Sequence, residues 1–265
     1  MKVLVTGTST GIGRGIAEKF LAEGYDVIGF DVAESTIDHD RYTHYIVDVA
    51  CQEQLPEIGE VDILINNAGV QDSGRDIDVN LRGTIYCTEK YGIQPNIKAI
   101  IMTASVSAHN GAEFPEYCAS KGGVLAYTKN VALRVAKYGA TCNSISAGGV
   151  ITELNAHILE NKSLWDQVMA ETLIPKWATV EEMAEWTYFL AVVNKSMTAQ
   201  DVLIDNGEIA KANFVWKPIA CRTGAEGLTA LCPWYQRNCI PAPGRSAGIP
   251  WVLDRDKNRR DGHES

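Results

Sequence analysis

Residues 5–13 read "VTGTSTGIG", and no other stretch limits the possible folds as strongly. The preceding "KVLVT" is a short β-branched run, and the residues after Gly13 follow a helical pattern. Gly7, Gly11 and Gly13 therefore stand where a buried strand turns into a helix. Glycine there lets backbone approach a bound group closely. A helix N-terminus adds unpaired N–H groups and the positive end of its dipole. Out of context such glycines mark an ordinary turn. Between a strand and a helix they form a phosphate-binding turn, and Thr10 and Ile12 belong to it.

The chain goes on alternating in the same way. "DVIGFD", "THYIVDV", "VDILINNAG", "IKAIIMTAS", "TCNSISAG" and "AQDVLIDNG" read as further strands. The intervening patterns predict helices over 12–23, 77–93, 117–137, 155–170 and 179–193. Strands alternating with helices predict an α/β fold, a doubly wound (Rossmann-type) parallel sheet covered on both faces, in a single domain over 1–216. Beyond Trp216 the character changes. Residues 217–265 hold five of the nine prolines and carry 8 Lys and Arg against 5 Asp and Glu, with no period of 2 or 3.6. They are expected to be an irregular tail.

Charge and composition narrow the partners. The formal net charge of −9 argues against nucleic acid or an anionic membrane as a partner. No run of 18 apolar residues is present, so no membrane span is expected. The N-terminus reads as a buried strand and not as a signal peptide. The expectation is a soluble, cytoplasmic protein. The seven cysteines include no CxxC pair, and the five histidines have no ligand spacing, so no metal is expected.

Asp31 ends the second strand, 18 residues past Gly13. An acidic group there accepts from the ribose hydroxyls of a dinucleotide and repels a 2′-phosphate, which predicts NAD over NADP. A strand-end aspartate is also a common turn residue. In "PEYCASKGG", Tyr117 and Lys121 are spaced to share one face of a helix, but Tyr86 and Lys90 in "YCTEK" have the same spacing. Spacing alone does not choose between these two pairs.

Taken in order along residues 2–216, these stretches resemble the short-chain dehydrogenases/reductases in their compact form. The matching elements are "TGTSTGIG", Asp48–Val49, "NNAG", Asn80 in "DVNLRG", Ser105 in "TASVS", "YCASK", "NSISAGGVITEL" and "DVLIDNGE". The resemblance implies a catalytic set of Asn80, Ser105, Tyr117 and Lys121, with Tyr86–Lys90 outside it. The reaction needs a group that gives a proton to a carbonyl oxygen as hydride reaches the carbon. A free phenol, with pKa about 10, is a weak base at neutral pH, and a lysine ammonium one turn away favours the phenolate.

By the same resemblance Ser105 holds the substrate oxygen, in competition with Ser107, and Asn80 holds a water that links Lys121 to solvent. Asp48 and Val49 meet the adenine, while Asn66, Ala68 and Gly69 flank its ribose. Val150 and Thr152 meet the nicotinamide carboxamide, and Tyr117 and Lys121 also touch the cofactor. Residues 153–178 are expected to form an apolar substrate lid.

The implied activity is hydride transfer between NAD(H) and a secondary alcohol or ketone, with a hydrophobic 3-oxoacyl or hydroxysteroid-like substrate. The implied assembly is a homodimer or homotetramer. Two other readings stay open: a catalytically silent NAD-binding regulatory protein, and a sugar-nucleotide epimerase-like enzyme. The chain departs from the family in several places. Ala147-Gly148 stands where Pro-Gly is usual, Ser105 lies one residue closer to Tyr117 than usual, and only ten residues separate Gly69 from Asn80. The segments between the second and fourth strands are also short, so one face of the sheet should be thinly covered.

Overall fold

The computed structural model describes residues 1–112 and 114–211. The expected tail over 217–265 and the boundary at 216 lie outside the described residues. Seven strands form one sheet: β1 (Lys2–Thr6), β2 (Asp26–Asp31), β3 (Tyr42–Ile46), β4 (Ile63–Asn66), β5 (Ala99–Ser105), β6 (Thr141–Ala147) and β7 (Asp201–Ile204). Their order is β3-β2-β1-β4-β5-β6-β7, and every neighbouring pair is parallel. This is the expected doubly wound fold. The chain steps outward from β1 to β3 and then returns to the other side of β1. At that reversal the connections after β1 and β4 run on to helices on opposite faces of the sheet, which opens a crevice beyond the carboxyl ends of the strands.

Each face of the sheet has its own core. Alternation along β1 sends Val3 and Val5 to one face and Leu4 to the other. Val3, Val5, Ile63 and Ile65 pack with Ile16 and Phe20 of α1 (Gly11–Ala22) and Met183 of α7 (Val180–Tyr188). On the opposite face Leu4, Phe30, Leu64, Ile100 and Met102 meet Val124, Val131 and Val135 of α4 (Pro115–Val135). Because both faces are covered, the central strands are apolar throughout and do not alternate with polar residues. Helices α1 and α7 meet at Gly15, where an added Cβ would lie 2.1 Å from Val180 Cγ1. Thr179 and Glu182 close a capping box at the start of α7.

Several boundaries differ from the expected ones, each for a local reason. The third strand was expected to run to Val49, but pairing ends at Ile46. Asp48 turns its carboxylate back to accept from Ala50 N–H at 3.0 Å, which bends the chain out of the sheet. The helix expected over 155–170 is split into α5 (Ala156–Leu159) and α6 (Lys162–Met169). Asn161 divides them by accepting from Leu164 N–H at 3.1 Å as an N-cap.

The helix expected over 77–93 is present but has wide π-type turns at Ile77–Gly83 and Thr88–Gly92, on either side of α2 (Thr84–Cys87). Thr84 and Thr88 each donate to the carbonyl four residues back, at 2.7 Å. The last strand stops at Ile204 because the Asp205 carboxylate captures Gly207 N–H and Ile209 N–H. The short crossovers hold no α-helix, and Val32 and Ile46 remain exposed at that edge. Cys87 and Cys142 are buried, and burial pushes both thiols up, Cys87 to about 12. They pack as small apolar groups.

Candidate active site

The crevice is a cleft of about 830 Å³ along the carboxyl ends of β1 to β6. Its middle is built by the glycine turn. Gly7 adopts φ +76°, and a Cβ there would lie 2.9 Å from Ala68 Cα. A Cβ on Gly13 would lie 1.9 Å from Gly7 O, so the first turn of α1 rests directly on the loop. Thr6 Oγ1 accepts from Asn67 N–H and Ala68 N–H, and Asn67 Nδ2 donates to Thr6 O, which ties the loops after β1 and β4 together.

Thr10 makes no side-chain cap and the first turn of α1 holds no acidic residue, so the N–H groups and the dipole there face the cleft. A cradle with this donor set, in a cleft of this size, fits a dinucleotide diphosphate. Among the described residues no cluster of His, Cys, Asp or Glu could hold a metal.

One end of the cleft carries Ser105, Tyr117 and Lys121. Ser105 ends β5, while Tyr117 and Lys121 share one face of the first two turns of α4. Lys121 Nζ lies 5.7 Å from the Tyr117 ring centroid and donates to Thr103 O at 2.9 Å. Burial pushes the Lys121 amine down from 10.5 to about 8, with Asp76 pulling weakly the other way. Ser107 is fully buried behind Ser105, which donates to it at 3.1 Å, so Ser105 is the hydroxyl at the cleft wall. The matched pair is elsewhere: Lys90 binds Leu55 O and Glu57, and neither Tyr86 nor Lys90 lines the cleft.

Asn80 stands one layer behind this wall. Its Nδ2 donates to Val70 O and Ser120 Oγ, and its Oδ1 accepts from Val70 N–H. Both amide donors are thus used in joining the loop after β4 to α4. A water could be held only by the remaining Oδ1 lone pair or by the peptide carbonyl, which already accepts from Thr84.

At the opposite end, Asp31 lines the cleft and accepts from Ser9 N–H at 2.9 Å and Ala33 N–H at 3.0 Å. Asp48 and Val49 line it too, with Val47, Val79 and Arg75. Burial raises the Asp48 carboxyl, but the Arg75 guanidinium and Ala50 N–H outweigh it and hold the group below its ordinary value. Of the "NNAG" residues, Ala68 and Gly69 reach the cleft, whereas Asn66 is buried behind it and donates to Thr88 Oγ1. Asn67 takes the wall position. Gly13 also lies beneath the surface, where its role is packing.

Val150 and Thr152 line the cleft beside Gly148 and Gly149. An added Cβ on Gly148 would meet Asp205 Cα at 2.8 Å, so this turn is held by contact where Pro-Gly would stiffen it. A Cβ on Gly149 would lie 1.9 Å from Trp177 Nε1: the indole fills the space a side chain would have taken. Residues 153–178 supply Leu154, Ile158, Val168 and Trp177 to the cleft, but also Glu153, His157 and Glu171. Trp165 packs edge-on against Trp177 at 5.2 Å.

Sequence reasoning passed over Arg75, Asn67, Thr103 and Trp177. Asn67, Thr103 and Trp177 lie in stretches the sequence does mark, "NNAG", "TASVS" and 153–178, whereas Arg75 reaches the cleft through tertiary packing alone.

The family described as enoyl-(acyl carrier protein) reductase matches residues 7–208. An uncharacterized oxidoreductase of Bacillus subtilis is 34% identical over 256 residues, covering 80% of this chain and 91% of its own. A 3-oxoacyl-(acyl-carrier-protein) reductase of Staphylococcus epidermidis is 28% identical, covering 77% of this chain and 97% of its own. The aldohexose dehydrogenase of Thermoplasma acidophilum, solved without ligand, is 26% identical with a TM-score of 0.71, covering 82% and 96% of the two chains. A 4-hydroxyisoleucine dehydrogenase complexed with NADH shares the fold, with a TM-score of 0.72 at 24% identity over 80% of this chain and 99% of its own.

Proposed function

Because the chain belongs to the short-chain dehydrogenase/reductase family, we propose that it interconverts a secondary alcohol and a ketone with NAD(H). The observation that supports this reading is the meeting of Ser105, Tyr117 and Lys121 on one wall of a cleft whose middle is the glycine turn. The nicotinamide, when bound, supplies or takes up the hydride. In the reductive direction Tyr117 gives its proton to the substrate oxygen, and in the oxidative direction it takes the hydroxyl proton. The Ser105 hydroxyl, turned from Ser107 to the substrate, donates to the same oxygen and aligns it. Lys121, positive and nearly free of water, favours the phenolate through which Tyr117 passes.

Asp31 at the cleft wall supports NAD, since its charge repels a 2′-phosphate. Phe114, Leu154, Ile158, Val168 and Trp177 around the catalytic end support a hydrophobic carbonyl, of the 3-oxoacyl or hydroxysteroid-like kind. Homodimer or homotetramer is the proposed assembly. No described helix is long and apolar enough to cross a membrane.

The test is NADH formation over a panel of secondary alcohols, and NADH loss over the matching ketones, repeated with NADP(H). Turnover with NAD by the wild type, lost in Tyr117→Phe, supports the reading. Cofactor binding without turnover on any substrate favours a regulatory protein.

A further inference from the structure

Arg75 stands in the ten-residue interval between Gly69 and Asn80. That interval is tied down from within. The Asp76 carboxylate, itself buried, accepts from Asp72 N–H, Ser73 N–H and Ser73 Oγ, and Ser73 Oγ accepts from Arg75 N–H at 3.1 Å. The backbone of Arg75 is therefore placed by its own loop, and its side chain reaches 27 residues back in sequence to Asp48. The Nη2–Oδ2 distance is 2.7 Å, and the second Asp48 oxygen takes Ala50 N–H.

The pair lines the cleft with Val47, Val49 and Val79. With the reacting end set by Tyr117 and the diphosphate by α1, this third region is left for the purine of the dinucleotide. It offers valine side chains and one planar cation, half exposed to solvent. Guanidinium planes stack on aromatic faces, and an Arg anchored through one edge has little side-chain freedom left to lose.

Resting on the dinucleotide reading above, we propose that Arg75, held by Asp48, is a cofactor-affinity residue that covers the purine of NAD. The ion pair closes the outer end of the cleft. Asp48 holds the guanidinium at the cleft through Nη2, and the valines provide the opposite wall.

The test is titration of the full-length protein with NADH, followed by enhancement of the reduced-nicotinamide fluorescence. Reduced nicotinamide mononucleotide, which lacks adenosine, and NADPH serve as parallel probes. Arg75→Ala is expected to raise Kd for NADH about tenfold, the scale of a partly desolvated cation–π contact. The mononucleotide should bind wild type and variant alike, and NADPH should weaken in proportion to NADH. Arg75→Lys keeps the charge but not the plane, and is expected to recover less than half of the loss on a logarithmic scale.

An unchanged Kd for NADH in Arg75→Ala overturns the proposal and leaves the dinucleotide reading standing. Equal weakening of the mononucleotide overturns it as a general loosening of the site. A loss confined to NADPH overturns it by making Arg75 a phosphate partner. If wild type binds none of the three, the dinucleotide reading falls and takes this one with it.

Discussion

Lys121 is nearly fully buried, bonded through Nζ to Thr103 O, and its amine sits at about 8 instead of 10.5. That difference, at 1.36 kcal/mol per pH unit, means the folded protein loses about 3 kcal/mol of stability by holding the ammonium. The sign follows from proton counts. Between about pH 8 and 10.5 the unfolded chain binds the proton more tightly than the folded one, so stability from this group rises with pH. Below pH 8 both states are charged and the penalty is constant.

Lys121→Met removes the titration and leaves Thr103 O without this partner, a pH-independent loss of about 1–3 kcal/mol. The quantity to follow is therefore the difference between wild type and Lys121→Met as pH changes. Other titrating groups, among them Cys87 and Cys142, are common to both proteins and cancel. Urea unfolding at fixed m should show wild type gaining about 2 kcal/mol on the variant between pH 7.5 and 9.5. A difference that stays flat, or moves the other way, would mean the ammonium is solvated and the reasoning is wrong.

Tyr117→Phe should lower kcat by about 10²–10⁴-fold while NADH titration shows binding nearly intact, with Tyr86→Phe close to silent in both assays. Wild type should prefer NADH to NADPH by at least about 100-fold in kcat/KM, and Asp31→Asn should cut that ratio by about tenfold or more. Asparagine keeps one acceptor and sets its NH2 against the other backbone N–H of Ser9 or Ala33, so the gain in NADPH use, not the loss in NADH use, reports on charge. Steady-state titrations with both cofactors decide it, and equal use of NADPH by wild type would place Asp31 away from the ribose. Gly13→Ala should weaken NADH binding and lower stability by about 1–3 kcal/mol or more, because its Cβ would overlap Gly7 O. A variant with an unchanged melting temperature and Kd would show that α1 can shift without harm.

The strand and helix order, the parallel sheet and the glycine turn were legible because apolar periodicity and glycine punctuation are local signals. Tyr117 and Lys121 were legible as a pair, but their spacing recurs at Tyr86 and Lys90. The surroundings separate the two, a cleft wall for one and the Leu55 carbonyl with Glu57 for the other. Element ends were read less well. Asp48, Asn161 and Asp205 each stop an element with a side-chain hydrogen bond to nearby backbone, and such bonds depend on geometry that composition does not carry.

What the sequence determined by itself is the doubly wound class and the position of the glycine turn, since both are marked by local apolar periodicity and glycine spacing. Tertiary structure alone decided which residues reach the cleft. It buried Asn66 and Asn80 behind the wall and put Asn67 at the surface. It laid Trp177 over Gly149 and brought Arg75 onto Asp48. These outcomes depend on strand register, on loop length and on the space left by neighbours distant in sequence. Those quantities exist only once the sheet has assembled and its faces have closed.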